Sequence, residues 1–208
     1  MERRDDPARP GGHPEPPAAL QQRPLPLVSA AGPWYRLHDA ERDPLYFGRT
    51  SLFRFDAPAG EFGALYLAGD PQGAFVETFG RLETGGSLVT TAALARRCLT
   101  RVTSQRPLQV VDLTGAGLRR IGADNRLSTG DYQIAQRWAL RLWQHPEQPD
   151  GVQYRSRHDP SRKCLALFDR VCAVLLAERL GSLLEIPLVP LLAEILETYQ
   201  YGLIRVDE

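Results

Sequence analysis

The chain has 208 residues, with 25 basic and 25 acidic side chains that cancel to a formal net charge of zero. This balance argues against a protein that holds nucleic acid by overall charge, because phosphate binding of that kind needs a basic excess; a local basic groove stays open. The length suits one domain, with or without a tail, and is enough to bury a core without staples.

The three cysteines, Cys98, Cys164 and Cys172, are odd in number and have no CxxC spacing. They read as buried, reduced thiols, which suggests the cytoplasm. The four histidines, His13, His38, His145 and His158, are scattered without metal-ligand spacing, so no metal is expected. The N-terminus carries charges and prolines where a signal peptide would have an apolar stretch. The most apolar run, Leu183 to Leu196, is broken by Glu185, Pro187, Pro190 and Glu194, so no membrane span is expected.

In chain order, residues 1–32 hold prolines at positions 7, 10, 14, 16, 17, 24 and 26, which leave no room for helical periodicity. The region is expected to be a disordered tail, or a segment loosely laid on the surface, with the folded domain spanning 33–208. Trp34 to His38 suits a short strand, with Trp34, Arg36 and His38 on one face. A polar loop follows to Gly48, and Ser51 to Phe55 reads as a second extended piece. Gly63 to Ala68 is a strand. Asp70-Pro71 opens a helix, with Asp70 as N-cap and Pro71 in the first turn. Phe75, Val76 and Phe79 form its apolar stripe. Glu77 lies off that stripe, among Gly73, Ala74, Gly80 and Arg81, small neighbours that leave room beside an acid.

Beyond this, a short helix capped by Thr90 or Thr91 precedes a strand over Leu99–Thr103. Leu108–Leu113 is a strand, and Gly115–Ile121 a short helix that ends at Gly122. Asp131–Trp143 is an amphipathic helix with Ile134, Trp138 and Leu142 on one stripe. Val152–Ser156 is a strand. Cys164–Phe168 reads as strand and the segment from Arg170 as helix. Leu191–Tyr199 is a helix and Gly202–Val206 a closing strand. Strands and helices mix without strict βαβ alternation, so the fold class expected is α+β, a mixed sheet core with flanking helices.

The phosphate-loop, dinucleotide-loop, HExxH and GxSxG patterns are absent from the sequence. Five side chains stand out as candidates, and each has an ordinary structural explanation. Arg36 and Arg54 can snorkel over apolar surface or hold an anion. Tyr66, between Ala64 and Ala68 on one strand face, can be core or a ligand platform. Glu77 can be a solvated acid, and Ser156 a strand-end serine. Their order and spacing together carry more than any one of them.

That order resembles the RES domain family, named for an arginine, a glutamate and a serine. The resemblance rests on Tyr35-Arg36; on Gly48-Arg49 through Phe53-Arg54-Phe55; on Leu65-Tyr66-Leu67-Ala68; on Ala74 and Glu77; and on Asp150-Gly151 with Tyr154 to Ser156. Arg155 departs from the family, standing where its serine motif often has a small or proline-like residue. The resemblance implies a fold similar to ADP-ribosyltransferase-like toxins. It implies a toxin of a bacterial toxin–antitoxin pair that splits the nicotinamide–ribose bond of NAD by phosphorolysis or hydrolysis. NAD is then a substrate, inorganic phosphate a candidate co-substrate, and no resident cofactor is needed. Arg36, Glu77 and Ser156 take the catalytic positions, while Arg36, Arg54, Tyr66 and Ser156 contact the dinucleotide. The implied partner is a separate helix-turn-helix antitoxin, and the implied assembly a homodimer. Transfer of ADP-ribose to a macromolecule, and a non-catalytic interaction module acting through the proline-rich tail, are the other readings.

Overall fold

The computed structural model describes residues 14–80 and 87–206. One eight-stranded sheet organises the chain. Its strands are β1 (Leu27–Ala30), β2 (Trp34–Asp39), β3 (Ala64–Ala68), β5 (Arg97–Ser104), β6 (Leu108–Asp112), β7 (Gly151–Arg155), β8 (Lys163–Phe168) and β9 (Leu175–Gly181), in the spatial order β1-β6-β7-β8-β3-β2-β5-β9. The short β4 (Leu88–Thr90) instead pairs in parallel with β10 (Gly202–Ile204) in a separate two-stranded sheet. In the large sheet only β6 and β7 run parallel. A parallel pair needs a crossover, and residues 113–150 provide it with α3 (Ala116–Ile121), α4 (Arg126–Thr129) and α5 (Tyr132–Trp143). The remaining helices are α1 (Pro71–Phe79), α2 (Thr91–Ala95) and α6 (Val189–Thr198). This is the expected α+β class, with a mixed sheet and flanking helices.

Both faces of the sheet are apolar, and strand alternation divides them. Ala64, Ala68, Val111, Val152, Tyr154, Cys164, Ala166 and Phe168 join the larger core with the helices. Leu65, Leu67, Leu108, Val110, Leu165 and Leu167 point the other way and meet Trp34 and Val102, so the sheet curls onto its own inner face. The runs LQVVDL and KCLALF read as nearly continuous apolar stretches for this reason.

Local signals set most of the boundaries. Asp70 accepts a hydrogen bond from the Gly73 amide and caps α1, with Pro71 in its first turn. Thr90 caps α2 by accepting from the Ala93 amide. Gly122 ends α3 with φ of 84°, a left-handed conformation that glycine adopts without a Cβ penalty.

Four expectations need correction. The first concerns the N-terminal tail. Residues 14–32 are not loose: a 3-10 helix spans Ala18–Gln22, and β1 pairs with β6 along the sheet edge. Leu20 and Leu25 are buried. His145 bonds the carbonyls of Leu20 and Arg23, Trp138 donates to the Pro14 carbonyl, and Glu15 pairs with Arg137 of α5. Proline forbids helix but not an extended strap or an edge strand, and two buried leucines hold the strap down. Residues 1–13 lie outside the described region.

Second, the segment after Arg170 is a 3-10 turn followed by the edge strand β9, not a helix. Its Leu, Ala, Glu and Arg residues favour helix locally. Pairing with the free edge of β5 wins, helped by Arg101 and Glu178, which face each other in register and form an ion pair. Third, Ser51–Phe55 is a turn-rich loop and pairs with no strand. Fourth, Cys98 and Cys164 are buried thiols as expected, but Cys172 is exposed.

The strap gives a direct test. Leu20→Ala should lower the urea-unfolding free energy by about 3 kcal/mol, the cost of emptying a buried leucine site; a disordered tail would leave it unchanged.

Candidate active site

A cleft of about 500 Å³ opens beside β2, β3 and α1, within the usual size range of small-molecule sites. Arg36, Arg54, Tyr66 and Glu77 all line it. Ser156 does not, but it reaches the cleft through Glu77: its hydroxyl donates to Glu77 Oε1 at 2.5 Å. The five residues singled out in the sequence therefore meet around one cavity, although Ser156 lies 79 positions from Glu77.

Ser156 directly follows β7, and its placement follows from the hairpin to β8. The Ser156 amide donates to the Arg162 carbonyl, closing the loop. The hydroxyl accepts from the amides of His158 and Asp159, both at 3.1 Å, while donating to Glu77. All of its hydrogen-bonding capacity is thus committed within the protein, and the residue is only 2% exposed. It holds Glu77 in place and folds its own loop. Arg155, the residue that departs from the family pattern, points away and donates to the Ser161 carbonyl.

The space beside Glu77 is less open than its small neighbours suggest. A Cβ on Gly80 would lie 2.8 Å from the His158 ring, so that glycine admits the serine loop against α1. Gly73 packs on Ala68 in the same way. Arg81 lies outside the described residues. Further bonds lace the loop to the helix: Arg162 pairs with Asp70, the N-cap of α1, and with Asp159, to which Tyr199 of α6 also donates. The Thr78 hydroxyl lies between the Ala74 carbonyl of its own helix, at 2.8 Å, and the Leu37 carbonyl of β2, at 3.1 Å, where α1 meets β2.

Arg36 is half-buried on β2 and donates to the Pro44 carbonyl at 2.7 Å and to the Tyr46 carbonyl at 3.4 Å. Burial lowers its guanidinium to about 10, with Asp43 opposing that shift, so it stays cationic at neutral pH. It carries positive charge to the cleft and also pins the loop over residues 44–46. Two strand positions on, His38 bonds the Asp39 carbonyl through Nδ1 and the Thr100 hydroxyl through Nε2. A carbonyl only accepts, so Nδ1 carries the proton and Nε2 accepts from Thr100. Burial lowers the His38 pKa and keeps the ring neutral at pH 7.

Asp56, which the sequence reading passed over, builds the loop that presents Arg54. It is 1% exposed. One of its oxygens accepts from the Thr50 hydroxyl and the amides of Leu52 and Phe53; the other accepts from the Tyr66 hydroxyl. Tyr66 in turn accepts from the Phe55 amide. Burial, with Asp56 adding to it, raises the phenol pKa far above its ordinary value, so the hydroxyl stays protonated. Tyr66 therefore offers its ring to the cleft and spends its hydroxyl on the loop. Gln136 of α5 clamps the same loop by donating to the carbonyls of Ser51 and Phe53. An aspartate following several short-range donors is the sequence signal of such a knot, and Thr50-Ser51-Leu52-Phe53-Arg54-Phe55-Asp56 carries it.

Asp159 yields a pH prediction. Its carboxyl is held at about 2 against an ordinary 3.8, first by the Ser161 hydroxyl and further by Tyr199, the Ser161 amide and Arg162, with burial opposing. A depressed carboxylate pKa contributes stability that is complete above the unfolded value and lost as pH falls through the folded one. Asp159→Asn should therefore be less stable than the parent at pH 6 by on the order of 1–2 kcal/mol. The gap should close between about pH 4 and 2 in acid-unfolding curves.

Comparison with known proteins places this geometry. A family model described as the RES domain matches residues 33–188. A protein of Sinorhizobium fredii named "Probable toxin y4kH" is 32% identical over 81 residues, which is 38% of this chain and 63% of that protein's length. The crystal structure of the M. tuberculosis MbcT–MbcA toxin–antitoxin complex contains a chain that superposes with a TM-score of 0.60 at 21% identity, covering 79% of this chain and 93% of that one. The fold is thus shared with that neighbour, and the arginine, glutamate and serine blocks sit within the matched range. With well over half of its residues matched, the chain belongs to the RES domain family.

Proposed function

We propose that this protein is the toxin of a toxin–antitoxin pair and that it consumes NAD by splitting the bond between nicotinamide and ribose. The observation that carries the reading is a carboxylate locked in an arginine-lined cleft: Glu77, fixed by Ser156, shares the cavity with Arg36 and Arg54. The toxin assignment follows the family together with the MbcT–MbcA neighbour, whose title names a toxin–antitoxin complex.

Departure of nicotinamide takes the electron pair of the carbon–nitrogen bond with it and leaves positive charge on the ribose, as in glycoside cleavage. Glu77 stabilises that charge or holds the ribose hydroxyls. Arg36 and Arg54 neutralise the pyrophosphate, for which the guanidinium fork is well shaped. The Tyr66 ring forms a wall for nicotinamide or ribose. Ser156 acts as a positioning residue, since its hydroxyl is given to Glu77. With water as acceptor the products are nicotinamide, ADP-ribose and a proton; with inorganic phosphate they are nicotinamide, the 1-phosphate of ADP-ribose and a proton. A separate helix-turn-helix antitoxin would silence the enzyme by covering the cleft, whose exposed rim includes Tyr46 and Phe53.

The test is to incubate the purified protein with NAD, with and without inorganic phosphate, and to follow nicotinamide release. Release is expected, and its dependence on phosphate distinguishes phosphorolysis from hydrolysis. Glu77→Gln should lower the rate on the order of a hundredfold or more, with little change in thermal midpoint. Ser156→Ala should lower both rate and stability, because it frees Glu77 and two loop amides together. No release in either condition removes the enzymatic reading. Label from NAD found on protein or nucleic acid would indicate transfer instead.

A further inference from the structure

On the wall of the cleft nearest α4 and α5, two buried polar side chains each carry an atom without a hydrogen-bond partner. Arg54 is 7% exposed and Ser128 3% exposed. Arg54 Nη1 donates to the Gly130 carbonyl at 2.8 Å and to the Leu127 carbonyl at 3.4 Å, and the guanidinium lies over the Tyr132 ring, 4.4 Å from its centre. These contacts orient the group but leave Nη2 buried with no hydrogen-bond partner; the Ser128 hydroxyl is buried in the same condition. Both residues line the cleft. The Leu127 carbonyl that Arg54 bonds belongs to the peptide joined to Ser128, so both residues stand on one wall of the cleft.

A buried polar group without a partner is costly, and native folds keep few of them. Two on the lining of one cavity call for a ligand that satisfies both. A guanidinium only donates, and the serine hydroxyl can turn its proton the same way. The matching ligand therefore brings several acceptor oxygens and negative charge. Two further features favour an anion. Arg157 also lines the cleft and lies close enough to Arg54 to help lower its pKa, after burial, so a second cation acts on this corner. Asp56, the buried carboxylate of the same loop, has its oxygens taken by Thr50, Leu52, Phe53 and Tyr66 and forms no ion pair with Arg54.

We infer that Arg54 and Ser128 form a phosphoryl subsite, with Tyr132 as the surface on which the guanidinium is held. The inference rests on the NAD-consuming reading for its biological ligand, and it adds Ser128 to the binding machinery. The phosphoryl group comes either from the pyrophosphate of the dinucleotide or from inorganic phosphate serving as acceptor. Both present the tetrahedral oxyanion that the two donors fit.

The experiment measures binding rather than turnover. Inorganic phosphate and ADP-ribose are titrated separately into the full chain and into Ser128→Ala by calorimetry, with nicotinamide as an uncharged control. Because the Ser128 hydroxyl bonds nothing in the free protein, the variant should keep or slightly raise the thermal midpoint. It should bind at least one of the two anions about tenfold or more weakly, with nicotinamide unaffected. Arg54→Lys, which keeps the charge and loses the fork, should weaken the same anion. Loss confined to inorganic phosphate assigns the subsite to the acceptor; loss confined to ADP-ribose assigns it to the pyrophosphate; loss of both assigns it to the shared group. Unchanged affinity for both anions in Ser128→Ala, or no binding of either by the parent, overturns the subsite. A lowered midpoint in Ser128→Ala with intact anion binding would make the residue structural and overturn it equally. Weakened anion binding in a protein that releases no nicotinamide would keep the subsite and remove the NAD reading.

Discussion

The Ser156 hydroxyl is the junction on which the site depends. It has one proton to give and gives it to Glu77, while its oxygen receives two loop amides. A single rotor thus fixes the direction of a carboxylate on α1 and the shape of the turn between β7 and β8. Neither element would hold that geometry alone, since α1 has only nine residues and the turn is mostly polar. The ion pairs from Arg162 to Asp70 and Asp159 brace the other end of the same contact, and Tyr199 extends the brace to α6. Glu77 is held from both ends of its helix before any ligand arrives, which is the condition for electrostatic preorganisation.

Charge is distributed to the same effect. The chain as a whole is neutral, yet five arginines line the cleft against three carboxylates, Asp39, Asp56 and Glu77. One of those three, Asp56, has its charge absorbed by four hydrogen bonds within its own loop. The field an incoming anion meets is therefore more positive than a count of charges suggests, and low-polarity walls make it act further than it would in water. Net charge excluded a general nucleic-acid binder but carried no information about this local excess, because cancelling acids sit elsewhere on the surface.

What could be read from the sequence was local. Asp70-Pro71 fixed the start of α1, the apolar stripe of α5 was plain, and Gly122 marked the end of α3. The candidate residues were legible through their order and spacing together, since each taken singly has an ordinary explanation. Two of the misreadings, β9 and the N-terminus, share one cause. β9 is written in helix-forming residues and becomes a strand only because β5 has a free edge. The proline-rich N-terminus becomes ordered only because α5 and β6 offer it a surface. Neither surface exists in the segment's own sequence. Ser128 gave no signal for the same reason: nothing in Asn125-Arg126-Leu127-Ser128-Thr129 points to a cleft, and only the packing of Arg54 against the carbonyls of Leu127 and Gly130 ties that segment to its wall.

The positions marked by the motif also proved more informative than the atoms assigned to them. Tyr66 is expected to offer a ring and Ser156 a hydroxyl; Tyr66 does line the cleft, while the hydroxyls of both residues are consumed in building the walls. What remains facing the cleft is a ring, a carboxylate and guanidinium groups. This division has a physical logic. A hydroxyl is a short, rotatable group that satisfies buried backbone amides at little conformational cost, and the Asp56 carboxylate does the same through charge-assisted bonds to the amides of Leu52 and Phe53. If the site cleaves NAD as proposed, it stabilises developing positive charge next to a bound pyrophosphate. With the hydroxyls of Ser156 and Tyr66 and the carboxylate of Asp56 spent as scaffolding, Glu77 and the guanidinium groups lining the cleft are left for that substrate.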